Sequence, residues 1–138
     1  MVQVATPERT DVIDDRDAIA AVLQLYMDGS ARGDVAKLRE AFHPDSRMFG
    51  TLGGKRFDVP IEALFEMTAQ GPAETAGRYR GRVLSITQIG DAAMAAVAED
   101  GFWGSVSFVD FFTLAKVDGR WVIVNKTFAH TGGEPPAF

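Results

Sequence analysis

The sequence predicts an α+β fold in which three helices precede a mostly antiparallel sheet. Up to Pro72, apolar residues recur at spacings of three and four, which is typical of amphipathic helices. From Arg78 onward the period changes to two, which is typical of half-buried strands. Because the helices come first instead of alternating with the strands, the order favours α+β over a parallel α/β sheet.

The first predicted helix follows Asp14 and Asp15, either of which can cap it. We expect it to end near Gly29, because glycine is common just past the last helical turn. Residues at helical spacing form its apolar stripe, namely Ile19, Val22, Leu23, Tyr26 and Met27.

A second, shorter helix is predicted after Gly33, with Asp34 as its cap. Pro44 ends it, because proline has no amide hydrogen and pushes the preceding residue out of the helical region. Pro60 opens a third helix at its first position, and Gly71 follows its end. Two short strands are expected between these helices, at residues 46–49 and 55–59.

Two hairpins make up the rest of the predicted sheet. Gly90-Asp91 joins strands Arg80–Ile89 and Ala92–Gly101, and Asp118-Gly119 is a strong signal for a two-residue type I′ turn. Because a two-residue turn fixes the register, the first turn places Arg82 opposite Glu99, which predicts a cross-strand ion pair.

In the last hairpin the same rule pairs Lys116 with Trp121, Leu114 with Ile123, Phe112 with Asn125 and Asp110 with Thr127. One face then holds Phe108, Asp110, Phe112, Leu114, Trp121, Ile123 and Asn125. The other face holds Val109, Phe111, Thr113, Val122, Val124 and Phe128, which are also mostly apolar. Since the chain has nothing left to cover this second face, we expect a homodimer through the sheet.

Composition limits the classes of function. A chain of 138 residues with 46% hydrophobic residues predicts one domain over residues 1–138, with a loose arm at 1–13 and a loose tail at 131–138. The net charge of -5 argues against nucleic acid as a partner. The absence of a basic, apolar leader and of a long apolar run predicts no membrane segment and a cytoplasmic location.

No cofactor or metal is expected from the sequence. It has no cysteine, and its two histidines, His43 and His130, have no spacing that puts both on one helical face, which argues against a zinc site. Dinucleotide, Walker and nucleophile-elbow fingerprints are also absent.

Four segments together resemble a known family: YMDGSARGDVAKLREAFHPDSRMFG, GGKRF, RGRVLSITQIGDAAMAAV and DFFTLAKVDGRWVIVNKTF. They are similar to the putative lumazine-binding family of the nuclear transport factor 2-like superfamily, over residues 18–130. The resemblance implies a cone, in which three helices pack in the concavity of a curved sheet and leave a pocket at the open end. It also implies a homodimer through the sheets. Enzymes and pure binding modules share this fold, so the fold cannot choose the function.

Within that superfamily, Tyr26 occupies a position that resembles the oxyanion-binding tyrosine of ketosteroid isomerase. The isomerase carries its base after the second helix, but this chain has no carboxylate there between Ser46 and Gly50. Proton abstraction of the steroid type would therefore need a base from another strand.

Asp110 is the main candidate site residue, because a carboxylate among phenylalanines must be paired, solvated in a cavity or neutralised. It is either a pocket acid or base, or a structural carboxylate tied to Asn125, Thr127 or the backbone. Tyr26 is either a core residue or a catalytic donor, and Trp103 either an aromatic platform or core. His43 either caps a helix end or lines the pocket. The predicted ligand-binding set is Tyr26, His43, Phe49, Trp103, Asp110, Phe112 and Asn125.

Two main functional hypotheses follow from the sequence. In the first, the pocket binds a small apolar or aromatic molecule without established catalysis. In the alternative, the protein is a lyase or isomerase in which Asp110 is the base and Tyr26 the donor. A third possibility is that side chains fill the pocket and the sheet serves only assembly.

Overall fold

A computed structural model describes residues 12–137 and has three helices and six strands. The helices are α1 (Val12–Arg32), α2 (Val35–Ala41) and α3 (Glu62–Gln70). The strands are β1 (Phe42–Leu52), β2 (Lys55–Pro60), β3 (Arg80–Ile89), β4 (Ala92–Phe102), β5 (Val106–Val117) and β6 (Arg120–Gly132). The helices contact the sheet, so the predicted α+β class is confirmed.

The six strands form one sheet in the order β2-β1-β6-β5-β4-β3. β1 and β6 run parallel, and every other neighbouring pair is antiparallel. One apolar core lies between the helices and the inner face of the sheet, and Tyr26, Phe42 and Phe112 are its largest fully buried side chains. The inner face is therefore the surface on which any enclosed site must be built.

The first helix differs from its predicted bounds at both ends. α1 begins at Val12, so Asp15 lies inside it, where the carboxylate accepts hydrogen bonds from Trp121 Nε1 and Lys116 Nζ, both at 3.1 Å. These bonds lower the pKa of Asp15. Gly29 does not end the helix. It lies against Leu38 of α2, and the helix continues to Arg32 before Gly33 adopts a φ of +68°.

The second and third helices follow their predicted signals with small shifts. Asp34 caps α2 through a bond from the Lys37 amide, as predicted. The helix ends at Ala41, before Pro44, because Phe42 already has the extended backbone of β1. Pro60 is the last residue of β2 instead of the first of α3, and α3 ends before Gly71 as expected.

The hairpin of β3 and β4 contains a bulge that sequence reasoning missed. β3 has its predicted bounds and β4 ends one residue later than predicted, at Phe102, but the register shifts between Val83 and Ser85. Arg82 therefore pairs with Ala98 and not with Glu99, so the predicted ion pair is wrong. Glu99 is buried on the inner face instead.

The hairpin of β5 and β6 contains a second bulge, at Val124. Lys116 pairs with Trp121 and Leu114 with Ile123, as predicted, but Phe112 then pairs with Lys126 and Asp110 with Phe128. The predicted pairs with Asn125 and Thr127 are wrong, because the extra residue exchanges the two faces from that point on. Lys126 and Phe128 are buried, while Asn125 lies on the outer face beside Phe111 and Thr113.

Most of the predicted N-terminal arm, residues 1–11, lies outside the described residues. The tail prediction began at Thr131, but β6 continues to Gly132. Within residues 12–137, no helix is long and apolar enough to cross a membrane.

Candidate functional site

An apolar pocket opens between α3, the end of α1 and the inner face of the sheet. The cavity volume is about 40 Å³, and all the space between its atoms, with the open mouth included, is about 520 Å³. Apolar side chains form most of the wall, including Met48, Leu64, Met67, Trp103, Phe108 and Phe128. Three polar side chains, those of Ser30, Thr68 and Lys126, also line it. Small apolar pockets with a few polar groups are typical of ligand sites.

Lys126 provides the charged group of this pocket. The bulge at Val124 turns its side chain inward, and only 6% of the residue is exposed. Its Nζ lies 5.1 Å from the centre of the Tyr26 ring and 3.9 Å from Met48 Sδ. A carboxylate oxygen, Asp110 Oδ1, lies 4.0 Å from Nζ. A buried ammonium without a close, bonded carboxylate retains capacity to donate hydrogen bonds to a ligand.

Behind Lys126, two carboxyl groups and two tyrosines form a buried cluster, which we call the acidic cluster: Tyr26, Tyr79, Glu99 and Asp110. The Tyr26 hydroxyl lies 2.7 Å from Glu99 Oε1 and 2.9 Å from Asp110 Oδ2. The Tyr79 hydroxyl donates to Glu99 Oε2. Asp110 Oδ1 is buried and has no hydrogen-bond partner among the described residues, and Lys126 Nζ lies 4.0 Å from it. Asp110 faces inward as predicted, but its partner is Tyr26 and neither Asn125 nor Thr127.

The geometry of the acidic cluster requires one more hydrogen than its hydroxyl groups supply. Tyr26 has one hydroxyl hydrogen but two carboxyl oxygens within bonding distance. Burial, and then the neighbouring charge of Asp110, raise the pKa of Glu99 well above its ordinary value of 4.5. A protonated Glu99 supplies the missing hydrogen between Oε1 and Tyr26, while Oε2 accepts from Tyr79.

The two tyrosines of this cluster remain hydrogen-bond donors. Burial, followed by the charges of the two acids, raises the pKa of Tyr26 well above 10.0. Burial also raises the pKa of Tyr79, with Glu99 as the next cause. Both hydroxyls therefore stay protonated at neutral pH and hold the carboxyl groups in place.

Ser30 lies in the last turns of α1 and is a second polar group of the pocket. It is 3% exposed, and its Oγ has no hydrogen-bond partner within residues 12–137. A buried hydroxyl without a partner costs free energy, and a ligand atom that bonds to it recovers that cost. Because Ser30 follows Tyr26 by four residues, it continues the same helical stripe.

Trp103 lines the pocket from the turn between β4 and β5. Gly101 and Gly104 have φ values of +68° and +97°, and Trp103 itself has a φ of +54°, so the chain bends sharply here. The Trp103 amide donates to the carbonyl of Ala73 at 2.7 Å, and the ring packs edge-on against Phe102. These contacts hold one wall of the pocket in place.

Four residues of the predicted site set lie elsewhere. Phe49 is 45% exposed, because it follows the buried Met48 in β1 and therefore lies on the opposite face of the sheet. Asn125 accepts a bond from Thr127 Oγ1 at 3.0 Å on the outer face. His43 accepts from the Asp45 amide through Nδ1. Phe112 is a core residue, with its ring 4.9 Å from that of Tyr26. Tyr26 and Asp110 do not line the pocket wall and support it from behind.

Sequence reasoning missed four residues of this site, namely Ser30, Tyr79, Glu99 and Lys126. The sequence did contain a signal for a buried Glu99. It continues the alternation on the inner face of β4 that Ala93, Ala95 and Val97 begin. For Lys126 no such signal exists, because strict alternation after the turn puts it on the outer face.

The element order, the mixed six-stranded sheet and the enclosed pocket define this chain as a nuclear transport factor 2-like α+β protein. A model of the family described as "Putative lumazine-binding" matches residues 14–129, and the chain belongs to this family.

Solved structures and a curated protein agree with this assignment. An NTF2-like protein of unknown function from Methylobacillus flagellatus is 36% identical, with a TM-score of 0.80 over 90% of this chain and 97% of its own. Another from Shewanella baltica is 29% identical, with a TM-score of 0.81 over 91% and 100%. "Aldolase FrzH" from Cladobotryum sp. is 27% identical over 112 residues, which are 81% of this chain and 88% of that protein.

Proposed function

We propose that the pocket binds a small, mostly apolar molecule whose one oxygen-containing group, a carbonyl or carboxylate, accepts a hydrogen bond from Lys126. The observation that carries this proposal is a buried ammonium at the wall of an otherwise apolar pocket. A charged donor in a low-dielectric site orients a ligand oxygen strongly, while the aromatic and methionine walls supply affinity through apolar contact.

Ser30 supports a ligand with a second polar atom. Its unpartnered hydroxyl gains a bond when such an atom binds. The cavity volume of about 40 Å³ favours ligands of a few heavy atoms, and the flexible side chains of Met48 and Met67 can adapt to larger ones.

The test uses 2-butanone as the probe and the indole N–H signals of the two tryptophans as the readout, by ¹H–¹⁵N NMR. Trp103 lines the pocket, whereas Trp121 is bonded to Asp15 away from it. We expect 2-butanone to shift the Trp103 signal and leave that of Trp121 in place. Loss of the charged donor in Lys126→Met weakens binding by about tenfold or more, since such bonds contribute about 1.5–3 kcal/mol.

Thr127→Ala is the matched control, because Thr127 is the next residue but its side chain is exposed on the opposite face. It should bind 2-butanone as the wild type does. Ser30→Ala removes only one hydroxyl, and because the single oxygen of 2-butanone is assigned to Lys126, this variant should bind 2-butanone as the wild type does. A Trp103 signal that does not respond to 2-butanone at any concentration up to saturation of the buffer contradicts the proposal.

Catalysis of the lyase class is the second candidate, and the similarity to a protein named as an aldolase supports it. The proposed roles of Asp110 as base and Tyr26 as donor need adjustment, because both groups lie behind Lys126 and hydrogen-bond to each other. In this candidate Lys126 contacts the substrate and Asp110 exchanges protons with it. Retro-aldol cleavage of 4-hydroxy-4-methyl-2-pentanone to acetone, lost in Asp110→Asn, is the expected result. No cleavage above the buffer rate contradicts it.

The proposed partner is a second copy of this chain, bound through the outer face of the sheet. That face exposes Phe111 (55%) and Met94 (59%) beside alanine, serine and threonine residues. A groove on this face, between β3 and β6, is lined by no charged side chain. Two copies of an acidic protein can therefore meet there without repulsion between charges at the centre of the contact.

A further inference from the structure

We propose that Lys126 is a covalent site, at which its amine condenses with the carbonyl carbon of a small ketone or aldehyde to form an imine. This inference rests on the proposed function, because the carbonyl compound must first enter the same pocket. It goes further because it restricts the ligand to ketones and aldehydes and assigns imine formation to Lys126.

The surroundings of Lys126 are those of a nucleophilic amine. The neutral amine is the form of a lysine that attacks carbonyls, so a reactive Lys126 needs a neighbouring group that can take a proton from its ammonium. The walls around Nζ are the Tyr26 and Phe128 rings, at 5.1 and 5.4 Å, and the thioether of Met48. None of these groups can remove a proton from the ammonium.

Asp110 is the group that can take that proton. Its Oδ1 is buried, has no hydrogen-bond partner and lies 4.0 Å from Nζ. Tyr26 holds the other oxygen, Oδ2, at 2.9 Å. The carboxylate is thus fixed in place with one oxygen free for proton exchange.

The step balances without any co-reactant. The ammonium of Lys126 gives one proton to Asp110, and the free amine adds to the carbonyl carbon. A second proton then moves from that nitrogen to the former carbonyl oxygen, which gives a carbinolamine. Asp110 then returns the proton to the carbinolamine hydroxyl, which leaves as water while the nitrogen lone pair forms the C=N bond. The net change is one ammonium and one carbonyl converted to one protonated imine and one water, with Asp110 restored.

The other three lysines of the chain, all within residues 12–137, lack this environment. Lys116 pairs with Asp15 at 3.1 Å and is exposed. Lys55 is exposed in β2, and Lys37 is half-buried on α2. They serve as internal references for the reactivity of an ordinary lysine.

The experiment treats the intact protein with 2-butanone and sodium cyanoborohydride, which reduces the imine to a stable secondary amine, and maps the product by peptide mass spectrometry. We expect Lys126 to be modified at least about tenfold faster than Lys37, Lys55 and Lys116. Lys126→Arg keeps the charge but removes the reactive amine, so the fast adduct should disappear while the Trp103 signal still shifts. 2-Butanol, which has no carbonyl, should give no adduct.

The outcomes separate the two proposals. If 2-butanone shifts the Trp103 signal but Lys126 is trapped no faster than Lys116, the covalent step is wrong and the binding proposal stands. If the ketone neither shifts Trp103 nor labels Lys126, both are wrong. Fast labelling of Lys126 that persists in Asp110→Asn would contradict the proton-exchange role of Asp110. Imine formation at Lys126 would then stand without that role.

Discussion

Glu99 and Asp110 place two carboxyl groups beside one lysine in the interior of the protein. If both acids were ionised, the group would carry an uncompensated negative charge away from water, which is costly. The raised pKa of Glu99 resolves this, because a neutral Glu99 leaves Asp110 and Lys126 as a balanced pair. The neutral acid also completes the hydrogen bonds between Tyr26 and Tyr79. The protonation state of one residue therefore sets the charge of the whole site.

This arrangement predicts that stability falls as pH rises above about 4.5. The folded-state pKa of Glu99 is raised above the unfolded value, so the folded state binds more protons than the unfolded state in that window. Its stabilising contribution is complete below pH 4.5 and is lost as pH rises toward the folded pKa. One such proton changes the free energy of unfolding by at most about 1.4 kcal/mol per pH unit.

Urea denaturation between pH 5 and 8 measures this effect. Glu99→Gln keeps a donor and an acceptor but cannot ionise, so its free energy of unfolding should fall less steeply with pH than that of the wild type. Glu66→Gln removes a carboxylate from the exposed face of α3 and controls for the change in net charge. Parallel curves for the wild type and Glu99→Gln would contradict a protonated Glu99.

At the scale of elements, two bulges separate what the sequence predicts from what it does not. The turns at Gly90 and Asp118 were predicted from their residue types, and both hairpins form there. The bulges at Leu84 and Val124 have no comparable signal. Val124 lies in the run WVIV, where every residue suits a strand and no glycine marks the irregularity. The extra residue at Val124 places Asn125, Lys126 and Phe128 on the sheet faces opposite to those predicted.

The helices were easier to predict because their ends carry specific residues. Asp34 has a side chain that caps α2, and the stripe from Ile19 to Met27 has only one face that suits the core. Their exact bounds were not predictable, since Gly29 is as good a stop signal as Gly33 in the sequence. The structure explains the glycine at position 29 by the close packing of α1 against α2. A Cβ atom there would lie 2.9 Å from Leu38 Cδ2 and 3.1 Å from the Asp34 carbonyl oxygen.

Gly29→Ala is therefore expected to destabilise the protein, although alanine is the better helix former by about 1 kcal/mol. Overpacking a buried contact costs about 1–3 kcal/mol, and Leu38 is fully buried and has little room to move. We expect a net loss of about 0.5–2 kcal/mol in the free energy of unfolding, measured by urea denaturation.

A double-mutant cycle tests the cause of that loss. In a Leu38→Ala background the clash with the side chain is removed, so Gly29→Ala should become neutral or stabilising there. If the effect of Gly29→Ala is the same in both backgrounds, contact with Leu38 is not its origin.

At the scale of the whole molecule, the sheet separates two tasks between its faces. The inner face, with the helices, encloses the pocket, Lys126 and the acidic cluster. On the outer face, the groove between β3 and β6 is lined by no charged side chain, and Phe111 is exposed in it. The bulge at Val124 links the two, because it turns the charged Lys126 inward and leaves the neutral Asn125 and Thr127 outside. Without that exchange of faces, the centre of the proposed dimer contact would carry a lysine.

The proposed homodimer predicts a specific response to a charge on the outer face. Phe111→Asp puts a carboxylate on each copy at the centre of the contact, where the two charges repel and lose water, so we expect a monomer at micromolar concentration by sedimentation velocity. Ile89→Asp is the matched control, because Ile89 is 83% exposed at the β3–β4 turn and does not line the groove between β3 and β6, and it should leave the dimer intact. A wild-type monomer at micromolar concentration, or equal sedimentation of the wild type and Phe111→Asp, contradicts the proposed contact. If instead Phe111→Asp is monomeric and still binds 2-butanone, the pocket is complete within one chain, as the lining residues require.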